Sequence, residues 1–495
     1  MFLGIDVGTQ SVKALLYDAQ TRRVVAIQSA ALPLTSKPDG TREQLAQWWI
    51  NAIEQCLAGF VRKDKAKVAA IAVSGQQHGF VPLAANGDVL APVKLWCDTS
   101  TMAECKQITD NFGGVERCIA EVGNAVLPGY TASKIRWLKN HRPDEYTRLA
   151  SILLPHDYIN FYLTGERIME HGDASGTALL DIRRREWHPG MLAAVDADRD
   201  LAAALPPLAE SGSAIGQLRA EVAATLGLPP GIPVATGGGD NMMAAIGTGN
   251  VSAGHMTVSL GTSGTLFAST DHPVIDPQGA LAGFCSSTGG WLPLLCTMNC
   301  TVSTELSRAV FGLDIADLER CVASAPIGSQ GVLTLPFYNG ERTPNLPQGK
   351  GCIHGLDESN YSRENLLRSA MESAVYGLQT GLDRFREQGC DIHSVRLTGG
   401  GAGSASWRQM VADIFDLPVS MQCVDEGAAL GAALQAMWMF QHQQGEIVAL
   451  QSLLDVHLAL DPERGCEPQH DNVLEYGDHY RQYLRHVATI TPLYS

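Results

Sequence analysis

The chain has 495 residues, 45% hydrophobic and 18% charged, an ordinary globular composition but too long for one core, so two domains of roughly 200 to 250 residues are expected. A net charge of −16 with no Lys/Arg cluster argues against a nucleic-acid partner. Apolar runs such as VAAIAV and VLTLPF fall far short of the ~20 residues that span a bilayer, and Asp6 interrupts the first apolar run before a signal-peptide core can form. A cytoplasmic protein with no membrane partner is the expectation.

Residues 2–17, FLGIDVGTQSVKALLY, read as two short strands joined by the turn Gly8-Thr9-Gln10-Ser11, a β-hairpin with Asp6 at its mouth. Glycine lets the turn backbone approach a ligand, and consecutive N–H groups in such a turn attract phosphate oxygens. Thr9 and Ser11 add hydroxyl donors. A solvated hairpin with an ordinary turn aspartate fits the same stretch. Lys13 points either toward Ser11 and a phosphate or toward solvent. A third strand, RRVVAIQSAAL, follows, then an amphipathic helix in EQLAQWWINAIEQCLAGFV and a buried strand in VAAIAVSG. This order suits a mixed sheet covered by helices.

The passage PPGIPVATGGGDNMMAAIGTGN reads as turn, strand, glycine turn and a helix beginning near Asn241. Asp240 there is either a helix cap or a functional carboxylate beside glycines that give a ligand room. Residues 255–270, HMTVSLGTSGTLFAST, repeat the opening design, with Gly261-Thr262-Ser263-Gly264 in place of the first turn. Two domains of like topology facing a central cleft follow, with a boundary near residues 246–254. The helical stretch RENLLRSAMESAVYGLQTGLDRFREQ leads to the strand in SVRLTGGGAGS, the cluster Gly399-Gly400-Gly401 and a further helix from Trp407. Two hairpin turns and a strand-glycine-helix turn can together hold phosphates and a nucleoside. The twelve cysteines form no CxxC pair and the fourteen histidines no HExxH, so buried thiols are expected and no structural metal is indicated.

These motifs resemble those of the FGGY carbohydrate kinases, within the actin, Hsp70 and sugar-kinase superfamily. GIDVGTQSVK is similar to the first phosphate motif, SLGTSGTLF to the second and LTGGGAGSASW to the adenosine motif. GYTASKIRWLKNH and GCIHGLDESNYSRENLLRSAME resemble the two family signatures. VSGQQHGFVPL, LWCD, LLPHDYINFYLTG, GDASGT, GGGDN and NGERTPNLP are most similar to the members that phosphorylate D-xylulose.

The resemblance implies an α/β fold of two ribonuclease H-like domains, 1–246 carrying the sugar and first phosphate motif and 247–495 the nucleotide. It implies ATP and Mg²⁺ as cofactors, a ketose substrate and, as is frequent in the family, a homodimer. Asp240 then matches the proton acceptor, Asp6 the carboxylate near Mg²⁺ and phosphate, and Gln77 and His78 the substrate-binding pair. Trp96, Asp98 and Asn241 join the sugar site. Gly8, Thr9, Gln10, Ser11, Gly261, Thr262, Ser263, Gly400, Gly401 and Ser404 match nucleotide-contacting stretches. Gln77 stands where many such relatives carry methionine, and no arginine follows Asp98. The alternatives are another ketose or polyol, such as ribulose or L-xylulose, or an actin/Hsp70-like ATPase that binds polypeptide. A nicotinamide enzyme would need GxGxxG, which fails at Ser404 in one glycine cluster and at Met242 in the other.

Overall fold

A computed structural model describes residues 1–494. The elements that carry the sheets and the site begin with β1 (Phe2–Val7), β2 (Ser11–Asp18), β3 (Arg23–Ala31), α1 (Ala46–Ala58) and β4 (Ala70–Gly75). There follow α2 (Thr131–His141), α3 (Pro155–Thr164), β5 (Ala214–Gln217), β6 (Pro233–Ala235), β7 (Gly238–Gly239) and α4 (Asp240–Thr248). Next come β8 (His255–Leu260), β9 (Gly264–Ala268), β10 (Leu294–Thr297), α5 (Thr301–Phe311) and α6 (Arg363–Glu387). The chain continues through β11 (Ser394–Thr398), α7 (Ala405–Phe415), β12 (Val419–Ser420), α8 (Gly427–Gln443) and α9 (His470–Ile490).

The chain forms two compact units. One comprises Met1–Val251, Thr270–Pro293 and Glu426–Leu458, the other Ser252–Ser269, Leu294–Asp425 and Ala459–Ser495. Compactness therefore does not follow the simple cut into 1–246 and 247–495, because two later segments return to the first unit.

In the first unit the sheet runs β5-β6-β4-β1-β2-β3, with β7 also paired to β4. β1 is antiparallel to β2 and parallel to β4. In the second unit the order is β10-β9-β8-β11-β12, with β8 antiparallel to β9 and parallel to β11. Each sheet thus joins a three-stranded antiparallel meander to parallel strands, and the hairpin that opens each unit supplies its central strand.

Alternation along β1 sorts its side chains onto two faces. Leu3, Ile5 and Val7 enter a buried cluster with Val12, Ala14, Leu16, Trp49, Ile53, Leu57, Ile71 and Val73. Gly4 and Asp6 lie on the opposite face. A Cβ on Gly4 would overlap the carbonyl oxygen of Ala429 in α8, one on Gly431 the carbonyl oxygen of Met243 in α4, and one on Gly247 that of Gly427. Helix α8 is thus seated backbone to backbone on both β1 and α4. Its sequence, GAALGAALQAMWMFQHQ, is built from small residues in its first turns for that reason.

Among the described residues no helix is long and apolar enough to cross a membrane. Among the described residues the twelve cysteines form no disulfide, and seven of them are buried.

Adding a methyl group at Gly431 forces α8 off α4, so Gly431→Ala is expected to lose about 1–3 kcal/mol or more of stability in urea unfolding. Gly427→Ala, whose Cβ would meet nothing nearer than Thr248 Cγ2 at 3.7 Å, should be tolerated.

Candidate active site

Strand pairing places Asp6. Its parallel neighbour on β4 is Ser74, whose Oγ donates to Asp6 Oδ1 at 2.7 Å, and its antiparallel neighbour on β2 is Lys13. Burial raises the Asp6 carboxyl to about 6, against the lowering effects of Ser74 and Lys13, and Glu426 adds to the rise. Lys13 turns neither to Ser11 nor simply to solvent: its Nζ pairs with Glu426, the residue that precedes α8, at 2.5 Å.

The turn after β1 is closed by Gly8 N–H donating to Ser11 O at 3.0 Å. The Thr9 hydroxyl is engaged, accepting from the Trp96 indole N–H at 2.9 Å and donating to Gln76 Oε1 at 3.1 Å. Gln76 Nε2 and Trp49 Nε1 both donate to Gln44 Oε1 at 2.9 Å, and Gln44 Nε2 donates to Thr9 O at 2.8 Å and to Pro33 O at 2.9 Å. Trp96 is 42% exposed, so its ring is an anchored surface wall rather than core. Sequence reasoning missed Gln76 and Gln44. The doubled glutamine in SGQQH was the available signal for the first, and the second had none.

The β7 pairing to β4 sets Gly239 beside Gly75 and turns the chain into α4, with Gly239 as N-cap and Asp240 as first helical residue. The three preceding glycines do not leave room for a sugar. Gly237 has φ +68 and its Cβ would overlap the Val73 carbonyl oxygen, Gly238's would overlap Ser287 Oγ, and Gly239's would stand 2.7 Å from Gln77 Cγ. They bring the start of α4 against β4 and Gln77. There Asn241 Nδ2 donates to Gln77 Oε1 at 2.7 Å and to Asp240 Oδ1 at 3.1 Å, and Asn241 N–H donates to the same Asp240 oxygen at 2.8 Å. Gln77 Nε2 lies 3.1 Å from Met242 Sδ. Burial, reinforced by the negative charges of Asp6 and Asp173, pushes the Asp240 carboxyl up to about 8.

His78 is buried against Tyr130 and Phe284, each ring centroid 5.2 Å from its own and the two 6.0 Å from each other. Its backbone is left-handed, φ +63, a conformation uncommon for a residue with a Cβ and costing about 1–3 kcal/mol. The ring occupies space that a side chain on Gly176 would fill.

Asp98 is corrected by the structure. It is 0% exposed, and four donors occupy its oxygens: Arg42 N at 2.8 Å, Lys94 Nζ at 3.2 Å, Ser100 N at 3.0 Å and Ser100 Oγ at 2.6 Å. Lys94 also pairs with Glu43 at 3.2 Å. Asp98 ties down the loop that carries Trp96 and offers no oxygen to a ligand.

In the second unit, the turn Gly261-Thr262-Ser263 is tied to the start of α5. Thr301 N and Oγ1 donate to Gly261 O at 3.0 and 2.8 Å, and Cys300 N donates to Thr262 O at 3.0 Å. The parallel pairing of β8 with β11 sets Gly399 beside Leu260, with φ +87 and a Cβ that would stand 2.8 Å from the Leu260 backbone. A Cβ on Gly401 would crowd Leu260 and Thr301 at 2.9 Å, whereas Gly400 and Gly403 face open space. Ser404 caps α7, which begins at Ala405 rather than Trp407: its Oγ accepts from Trp407 N at 3.1 Å and donates to Glu319 Oε2 at 2.5 Å.

Among the described residues no group of three or more His, Cys, Asp or Glu is arranged to hold a metal ion. Mg²⁺ takes one or two carboxylates with waters and substrate phosphates, and Asp6, whose negative charge adds to the rise of the Asp240 carboxyl, fits a cation that arrives with a nucleotide.

The N-terminal domain of the FGGY family of carbohydrate kinases matches residues 1–247, and the family's C-terminal domain matches residues 256–440. The chain is 41% identical over 497 residues to a xylulose kinase of Haemophilus influenzae, covering 99% of this chain and 100% of that protein. The chain belongs to the FGGY family of carbohydrate kinases. A xylulose kinase of Streptomyces coelicolor is 36% identical over 91% of this chain and 90% of its own length. The crystal structure of a xyloylose kinase from Brucella ovis superimposes with a TM-score of 0.90 at 30% identity, covering 99% of each chain. Membership of this FGGY family sets aside the polypeptide-binding ATPase and the nicotinamide enzyme.

Because Asp98 is structural in this FGGY kinase, Asp98→Asn should lower stability by about 3 kcal/mol, the low end for breaking a buried ion pair since Lys94 keeps Glu43. Sugar KM should stay within about twofold of the parent, measured alongside thermal unfolding.

Proposed function

We propose that the chain catalyses ATP-dependent phosphorylation of D-xylulose to D-xylulose 5-phosphate, with Asp240 as general base. The observation that carries the reading is the Asp240 carboxyl, hydrogen-bonded to Asn241 beside Gln77 and raised to about 8, a proton affinity suited to a base working near neutral pH. The relatives named xylulose kinase support the choice of sugar.

In the reaction Asp240 takes the proton of the sugar's O5 hydroxyl. The oxygen's electron pair forms a bond to the γ-phosphorus as the bond from that phosphorus to the leaving ADP oxygen breaks. Gln77, Asn241 and His78 orient the ketose, and the anchored Trp96 indole offers a face for its C–H groups. Asp6 would hold Mg²⁺, which when bound neutralises phosphate charge. In the first unit the backbone N–H groups of Thr9, Gln10 and Ser11 serve phosphate oxygens, Gly8 closing that turn through its own N–H, and in the second unit Gly261, Thr262 and Ser263 form a turn of the same kind. The open face at Gly400, beside Gly401 and the capped helix at Ser404, serves the nucleoside.

Coupled ADP release across D-xylulose, L-xylulose, ribulose and related polyols tests the reading. D-xylulose should give the highest kcat/KM, and another sugar leading by tenfold or so would replace it. Asp240→Asn keeps the hydrogen-bonding shape and loses the base, so kcat should fall ~10²–10⁴ while the sugar Kd from calorimetry moves little. The base works deprotonated, so kcat/KM should rise with pH through a limb well above the ordinary carboxylate range, toward about 8. A profile flat from pH 5 upward contradicts the assignment.

A further inference from the structure

Every polar point of the His78 backbone is gripped. Its N–H donates to Asp173 Oδ1 at 3.1 Å, and its carbonyl accepts from Lys134 Nζ at 2.8 Å and from Thr131 Oγ1 at 3.0 Å. The same Asp173 oxygen stands 3.0 Å from His78 Nδ1. Lys134 and Thr131 come from the first turn of α2, and Lys134 Nζ also donates to Gly129 O at 2.5 Å. Lys134 is wholly buried and its ammonium is used on two main-chain carbonyls, an arrangement that neither solubility nor ion pairing explains.

Asp173 is itself held from behind. Its Oδ2 is 3.3 Å from His156 Nδ1, and His156 Nε2 is 2.9 Å from Asp157 Oδ1, with all three side chains buried. Flanked by two histidines, Asp173 is kept ionised, its carboxyl depressed to about 2. An ionised carboxylate only accepts, so the ring nitrogen facing it carries a proton. A left-handed residue with a Cβ persists only where its surroundings over-determine it, and here four contacts on one residue do so.

We infer that Asp173 and Lys134 are positioning residues for sugar recognition: they hold His78 in its left-handed conformation and in the Nδ1–H form, so that Nε2 is the ring atom presented as acceptor to a sugar hydroxyl. The inference rests on the reading of His78 as a sugar-binding residue. It also gives a physical purpose to the lysine of GYTASKIRWLKNH and the aspartate of GDASGT, which the transfer chemistry itself does not use.

A double-mutant cycle of His78→Ala and Asp173→Asn, read as ketose KM, ATP KM and kcat, tests it. Asp173→Asn should raise the ketose KM roughly ten- to hundredfold, the range for losing a hydrogen bond to a charged group, and raise it more than it lowers kcat, with ATP KM within about twofold. In the His78→Ala background the same change should add no more than about twofold, because its effect passes through the histidine. If His78→Ala leaves the ketose KM unchanged, the reading of His78 falls and the inference with it. If His78→Ala raises the KM but Asp173→Asn is neutral or fully additive, the inference alone is overturned. Should Asp173→Asn fail to fold, nitrogen NMR of ¹⁵N-histidine-labelled parent enzyme decides: an Nδ1-protonated His78 supports the inference, and an Nε2-protonated neutral ring overturns it.

Discussion

The close seat of α8 against β1 and α4 is the constraint on which the site depends. Gly4, Gly247 and Gly431 each stand where a side-chain carbon would overlap a carbonyl oxygen of the facing element, so the three backbones can sit at this spacing only without those carbons. Asp6 lies two residues beyond Gly4 on the same face of β1, and Asp240 opens α4. Both carboxylates therefore project from elements whose spacing is set by backbone contact rather than by adaptable side chains. Rigid elements hold reacting groups more closely than loops do. The Lys13–Glu426 pair, at 2.5 Å, marks the same register from the side of the helix end.

That rigidity gathers negative charge. Burial raises Asp6 to about 6 and Asp240 to about 8, and the charge of Asp6 contributes to the second value. Asp173, close enough to add to Asp240's rise, is stabilised as an anion by His78 and His156. Three carboxylates in one region thus divide into one kept ionised by paired histidines and two that burial makes hold a proton more tightly than an ordinary carboxyl does. In a chain of net charge −16, the attraction of a phosphorylated nucleotide must come from local N–H groups and an accompanying cation rather than from the overall field.

What could be read from the sequence was local. The two hairpins, the helix after GGGDN and the strand before Gly399 are encoded by period-two alternation and glycine placement within about ten residues, so Asp6, Asp240 and the phosphate turns were legible as candidates. Non-local pairings were not. Asp98 looks like a ligand beside Trp96 until Lys94, Arg42 and Ser100 are seen to occupy both its oxygens. The three glycines before Asp240 suggested space, whereas Val73, Ser287 and Gln77 fill it. Gln44 reaches Thr9 across 35 residues and Asp173 reaches His78 across 95, distances at which residue spacing carries no signal.

The threading of the first unit has a consequence for how the protein is made. Its sheet and the helix α4 are complete by Val251, yet α8, which covers Gly4 and meets α4, lies within Glu426–Leu458. On a ribosome adding residues from the N-terminus, that unit emerges with the Gly4 and Asp6 face of β1 bare, and stays so while most of the second unit is synthesised. The N-terminal half therefore cannot finish folding as an independent module. The face of β1 that carries Asp6 thus stays uncovered until about the last seventh of the chain is made.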